Sequence, residues 1–189
     1  MAVVRGVTLI VSNFEVTVEK LVYGGDGLAR LDGRVVFAPF VLPGERIRAR
    51  AEQEKPGMVR ARMLEVLEAA PDRVAAPCPA YGRCGGCHYQ HAPYAYQLAA
   101  KRAILVEALL RLGKIQPPAE IAVVAAEPFG YRNRVQLHVE ENRLGYREAR
   151  SHRLCVVGES TAGMKLKLAS AAAVVLPNST GEPTPGVPS

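Results

Sequence analysis

Three cysteines fall within ten residues, Cys78-Pro-Ala-Tyr-Gly-Arg-Cys84-Gly-Gly-Cys87, and His88-Tyr89-Gln90-His91 follow at once. This C-x5-C-x2-C spacing lets the thiols converge on one centre, because two consecutive glycines allow the backbone to fold tightly around it. A disulfide framework fits poorly. With the remote Cys155, the four cysteines make at most two bonds, too few to staple a chain of 189 residues. The segment therefore reads as an inorganic centre. Soft thiolates suit zinc or an iron–sulfur cluster, and spacing alone does not choose between them. A cubane takes several thiolates from a short loop and usually one from afar. Zinc usually takes two paired knuckles, and here only Cys84 and Cys87 form a clean pair, with His88 or His91 available to complete the set. Cys84-Gly-Gly-Cys87-His88 also matches the c-type haem attachment pattern, which requires export, and no export signal is evident.

Hydrophobic content of 49% and a mean hydropathy near zero fit a soluble globular chain. No apolar run reaches the roughly 18 residues that cross a bilayer. The apolar N-terminus is interrupted by Arg5 and lacks the basic region and cleavage site of a signal peptide. A cytoplasmic protein without a membrane partner is expected. There, clustered cysteines point to metal or redox work. The net charge of +6 is unevenly placed. Residues 1–70 carry ten Lys/Arg against nine Asp/Glu, whereas residues 71–155 carry twelve against seven. Arg132, Arg134, Arg143, Arg147, Arg150 and Arg153 gather in that second part, a basic patch able to face phosphates or simply a solvated surface.

The pattern of elements predicts an α+β chain. Phe14, Val16 and Val18 alternate with Glu15, Thr17 and Glu19, as in a half-buried strand. Asp32-Gly33 between Leu28–Leu31 and Arg34–Ala38 signals a tight hairpin, since both turn positions tolerate positive φ. Pro43-Gly44 and Lys55-Pro56-Gly57 separate two further strands. Five short strands at regular turn spacing suggest a small barrel of the oligonucleotide-binding type over residues 12–70. Pro71–Pro77 reads as a linker into the cysteine loop. A helix is expected from Pro93, at its first position, to Leu112, with Gly113 as C-cap. Its Leu98, Leu105, Leu109 and Leu112 stripe reads as core packing, with Arg102, Glu107 and Arg111 toward solvent. Residues 134–139 alternate as a strand, 141–142 turn, and 143–146 return. This second α/β unit runs over residues 71–158. Residues 159–189 end in a Pro/Ser/Thr/Gly-rich stretch expected to be largely disordered.

Taken together, Cys78-x5-Cys84-Gly-Gly-Cys87-x-x-Gln90-His91 after a turn-rich barrel, with Tyr131-Arg-Asn-Arg134 beyond, resembles the N-terminal part of the RNA uracil-5-methyltransferases, those of 23S ribosomal RNA above all. Gly24-x-Asp26-Gly27-x-Ala-Arg30, Val35-Val-Phe37 and Leu42-Pro-Gly-Glu45 look like the TRAM domain, a small RNA-binding barrel. The resemblance covers about residues 14–157. It implies a [4Fe-4S] cluster on Cys78, Cys84, Cys87 and a fourth cysteine. The family's register places that cysteine at position 160, which is serine here, so Cys155 is either a displaced ligand or an apolar strand residue. RNA, ribosomal RNA in particular, is the implied partner, with Arg132, Arg134, Arg147 and Arg150 as its contacts.

In that family a catalytic cysteine adds to uracil C6 and a methyl group moves from S-adenosylmethionine to C5, in a C-terminal Rossmann-like domain. Too few residues follow position 158 to build such a domain, and Gly24-Gly-Asp-Gly27 sits in a barrel loop rather than a βαβ unit. No catalytic residue is nominated. The expectation is a truncated methyltransferase, inactive alone, with room for a separate catalytic domain as partner. A small zinc-stabilised binding module without a role in RNA methylation is the competing expectation, and an unstable gene fragment is a third.

Overall fold

Arg46-Ile-Arg-Ala-Arg-Ala51 sets the rule for the first part of the chain. Ile47, Ala49 and Ala51 point inward and are buried, while the three arginines between them face outward, the period of two that a half-buried strand requires. The computed structural model describes residues 13–130, 135–141 and 143–156. Within them, β1 (Asn13–Leu21), β2 (Asp26–Leu31), β3 (Arg34–Pro39), β4 (Arg46–Lys55) and β5 (Met58–Glu68) close a barrel in the order β1-β2-β3-β5-β4. All pairs are antiparallel except β3 with β5. Val16, Val18, Ala29, Val36, Ala38, Ile47, Ala49, Ala51, Val59 and Ala61 fill the interior. The many alanines suit so narrow a barrel, whose inner positions must alternate large with small. The Asp32-Gly33 hairpin has both residues at positive φ, 48° and 75°, the conformation its sequence demands.

The segment after the barrel is more tightly held than a linker. Arg73 donates to the Phe40 carbonyl at 2.8 Å, and the Val74 N–H donates to the His91 carbonyl at 3.0 Å. These bonds tie the connection both to the barrel and to the end of the cysteine loop.

The helix α1 (Tyr94–Ala108) corrects three expectations. Pro93 is its N-cap rather than its first residue, with φ −57° and ψ 150°. A π-helical turn over Leu109–Gly113 continues it, and the left-handed residue that ends it is Lys114, not Gly113. The leucine stripe is not core: Leu112 is 84% exposed and Leu105 46%. Tyr96, Ala100 and Ile104 supply the packing face instead, against Leu21, Leu42 and Ala92 at one end of the barrel. Small residues let the helix approach closely, so the contact is carried by side chains a hydrophobicity pattern underweights. Glu107 also departs from its expected place in solvent, since it is half-buried and paired with Lys20 of β1.

Beyond α1 the chain runs without regular structure to residue 130. A three-stranded antiparallel sheet follows, β6 (His138–Glu140), β7 (Arg143–Arg147) and β8 (Leu154–Val156) in sequential order. Its first strand is shorter than the 134–139 expected from alternation. The extra element β8 carries Cys155.

Candidate metal centre

The cysteine loop is a run of turns held from both sides. The Tyr81 and Cys84 N–H groups donate to the Cys78 and Ala80 carbonyls at 3.0 and 2.8 Å, winding the first two cysteines toward each other. The Cys78 N–H donates to the Gln90 side-chain carbonyl at 3.2 Å, so Gln90, itself buried, closes the loop on its start. On the far side, Gly85 N–H donates to the Arg147 carbonyl at 2.9 Å and Ala149 N–H to the Arg83 carbonyl at 2.8 Å, with Cys84 bridged to Glu148. The loop is thus stitched to the end of β7.

That stitching carries Cys155 inward, because β7 and β8 pair Tyr146 with Cys155. Cys78, Cys84 and Cys155 form one buried cluster, with Tyr81 and Tyr146 packed against it, and Cys87 stands half-buried beside them. All four thiols are free of disulfides. Gly145 makes the approach possible. A Cβ there would come within 2.2 Å of the Cys155 carbonyl oxygen. Position 160, where the register put the fourth cysteine, lies outside the described residues.

Burial first, then the neighbouring Cys155 and Cys87, pushes the Cys84 thiol up to about 11, although the Gly86 N–H, donating to its sulfur at 3.3 Å, pulls the other way. Burial of the Cys84 thiol disfavours its thiolate, and a cationic centre beside it would favour that form. The Arg83 guanidinium is raised, by its bond to Cys155 first, so a positive charge already attends that sulfur. Among the described residues, no three His, Cys, Asp or Glu side chains are grouped to hold a single metal ion. Thiolate donors are the chemistry that zinc and iron–sulfur centres share.

A polar bridge joins this loop to the barrel, and the sequence reading missed its meaning. Glu45 has no solvent exposure and accepts from Leu42 N–H at 2.8 Å, Ala70 N–H at 3.3 Å and both Nε and Nη2 of Arg73. Burial works to raise its carboxyl, but the Arg73 and backbone bonds outweigh it and hold the pKa below the ordinary value. His91 is 1% exposed, with Nδ1 on the Tyr81 hydroxyl and Nε2 lacking a hydrogen-bond partner. Burial lowers its pKa and keeps it neutral. Tyr81 in turn packs edge-on to Phe40, whose φ of 63° is held by the Arg73 bond to its carbonyl. The signal lies in Leu42-Pro-Gly-Glu45 and Gln90-His91.

The four arginines nominated for RNA fare differently. Arg132 and Arg134 lie outside the described residues. Arg147 is half-buried and donates to Glu140 and to the His152 carbonyl. Arg150 is exposed, with φ 55°.

Residues 8–64 match the TRAM domain family. An uncharacterized RNA methyltransferase of Aquifex aeolicus is 47% identical over 133 residues, covering 70% of this chain and 31% of the relative. The 23S rRNA (uracil(1939)-C(5))-methyltransferase RlmD of Pseudomonas putida is 43% identical over 122 residues, 65% of this chain and 27% of its own length. Among solved structures, the Pyrococcus abyssi tRNA (uracil-54, C5)-methyltransferase in complex with S-adenosyl-L-homocysteine matches with a TM-score of 0.53 and 26% identity, covering 79% of this chain and 33% of that one. The chain spans about a third of the length of the curated relatives it matches. It carries a TRAM domain and is homologous, across that third, to RNA (uracil-5) methyltransferases.

Proposed function

We propose that this chain is the RNA-binding and [4Fe-4S]-binding portion of an S-adenosylmethionine-dependent 23S rRNA (uracil-5-)-methyltransferase of the cytoplasm. Its working parts are a TRAM barrel over residues 12–70, an iron–sulfur unit over 71–158 and a tail over 159–189. Cys78, Cys84, Cys87 and Cys155 would hold the cluster. The observation that carries this reading is the burial of Cys155, from a strand some seventy residues downstream, against Cys78 and Cys84. A buried thiol is often only a small apolar residue, but three in one cluster with a fourth alongside make a ligand set. When bound, the cluster acts as a staple, cross-linking the loop to β8. The protein's own residues do the rest: Gln90 closes the loop, and Arg83 offsets charge at Cys155. Among the described residues there is no strand, Gly-rich turn and helix unit for a nucleotide cofactor, so methyl transfer belongs to a catalytic domain beyond them.

Anaerobic purification tests the reading. Brown protein with broad absorption near ~400 nm, about four irons and matching acid-labile sulfide per chain supports it. Its binding to a ribosomal RNA fragment should weaken steeply with salt, while the chain alone transfers no methyl group from S-adenosylmethionine. Colourless protein with stoichiometric zinc overturns the cluster, and a flat salt response overturns the phosphate contacts.

A further inference from the structure

The outer surface of the barrel is not uniform, and the strand register shows how. Outward positions on β1 and β4 carry Glu15, Thr17, Glu19, Arg46, Arg48 and Arg50, a charged and polar wall. Across β2, β3 and β5 the outward positions read differently. Leu28 pairs with Phe37 and Phe37 with Arg60, one row across three strands, and Arg30, Val35 and Met58 form the next row. Their neighbours Ala29, Val36 and Val59 belong to the core, so the period of two turns both rows outward. Leu28, Val35, Phe37 and Met58 are half-buried and lie outside the buried clusters.

Within that face Arg60 is held in place. Its guanidinium lies over the Phe37 ring, 5.9 Å from the centroid, and its Nη1 donates to Asp26 Oδ2 at 3.4 Å. The side chain still keeps 42% of its surface in water. A planar group fixed by a ring and a carboxylate has less freedom to lose when something stacks on it.

Asp26 also closes the turn that leads into this face. The Val22 N–H donates to the Asp26 carbonyl at 2.9 Å, and the Gly25 N–H to the Val22 carbonyl at 3.1 Å. The turn rests on the cysteine loop, since a Cβ on Gly25 would meet His88 Cβ at 2.7 Å. Tyr23 stands in this braced turn with 91% of its surface exposed, a large ring that contributes no packing to the barrel.

We infer that this face of the barrel takes unpaired bases of RNA, one stacked on the Arg60 guanidinium and a neighbouring one on Tyr23. The inference rests on the RNA-binding part of the function proposed above and gives the barrel's share of it a location. Every base has a π-face, so planar groups of this kind grip single strands with little regard to sequence. Paired bases keep those faces inside the helix, so a duplex is a poor ligand for such a surface.

The experiment uses the full chain, purified anaerobically, and a fluorescent single-stranded RNA of about twelve nucleotides, read by anisotropy across a salt series. Tyr23→Ala should weaken binding about tenfold and Tyr23→Phe should leave it intact, because the ring stacks and the hydroxyl does not. Arg60→Lys keeps the charge and discards the plane, so binding should weaken about fivefold with the salt slope unchanged. Arg62→Lys, the same exchange two residues on, should match the wild type. Crosslinks from 4-thiouridine in the same RNA, taken on the wild-type chain, should fall on the peptides that hold Tyr23 and Arg60. Wild-type affinity in Tyr23→Ala or in Arg60→Lys overturns the inference while the broader reading stands. So do crosslinks confined to other parts of the chain, or equal affinity for a duplex of the same sequence. No binding by the wild-type chain overturns both.

Discussion

Arg73 Nη2 donates to Glu45 Oε2 at 2.8 Å, joining the connection after the barrel to a carboxylate that has no exposure to solvent. The pair is asymmetric, since the Arg73 side chain keeps 22% of its surface in water while Glu45 keeps none. Removing the arginine would strand a buried charge and release the Phe40 carbonyl together. Arg73→Ala should therefore cost about 3 kcal/mol in urea denaturation. A loss under ~1 kcal/mol, within the range of ordinary surface ion pairs, would deny the bridge its role.

Acidification should weaken the same junction in two stages. His91 is held neutral, with its pKa below the unfolded value of 6.5, so below that value the unfolded state binds a proton that the folded state refuses. Glu45 is held ionised, with its pKa below 4.5, and acts likewise further down. Both contributions are present at neutral pH and are lost as pH falls, the first below about 6.5 and the second below about 4.5. Denaturation midpoints taken from pH 8 to pH 4 should decline through both windows. In His91→Gln the decline between pH 7 and pH 5 should shrink, and an undiminished decline would place its cause elsewhere.

The proposed cluster takes its fourth ligand from Cys155, whereas the family's register points to position 160, a serine here. Cys155→Ala should strip iron from anaerobically prepared protein, as Cys84→Ala should, whereas Ser160→Ala should retain the wild-type content of about four irons. Iron and sulfide analysis of the three variants decides it. Full iron in Cys155→Ala would return that residue to an apolar filler.

Gly145 is constrained by space rather than by backbone angle. A methyl group there would collide with the Cys155 carbonyl, 2.2 Å from the oxygen and 2.8 Å from the carbon, neither of which can rotate away. Gly145→Ala should part β7 from β8, cost about 2 kcal/mol and lower iron occupancy. Thermal melts with parallel iron assays would show the two losses together. Normal iron in a destabilised protein would mean that Cys155 does not need its strand partner to reach the centre.

The barrel was legible because each strand obeys one rule. Arg46–Ala51 alternates without exception, and Asp32-Gly33 and Pro43-Gly44 mark turns by the backbone angles they allow. The cysteine loop was legible from spacing, whereas Cys155 stood between two readings, because it is brought there by strand pairing between residues far apart in sequence. The helix misled for a different reason. Leu98, Leu105, Leu109 and Leu112 form the stronger apolar stripe, yet Tyr96, Ala100 and Ile104 make the contact with the barrel. Periodicity finds a helical face, and shape decides which one is used. Leu42-Pro-Gly-Glu45 marked one end of the Glu45–Arg73 bridge, but no local pattern pointed to Arg73, a partner set by how the barrel ends.

The parallel pairing of β3 with β5 has a consequence for biosynthesis. Both β3 and β4 lack one neighbour until Met58–Glu68 has left the ribosome, so the first four strands emerge as an unsealed sheet. Ala70 and Arg73 follow within a few residues of the last strand and cap Glu45. A nascent chain therefore gains its seal and its clasp together, before the first cysteine of the loop has emerged.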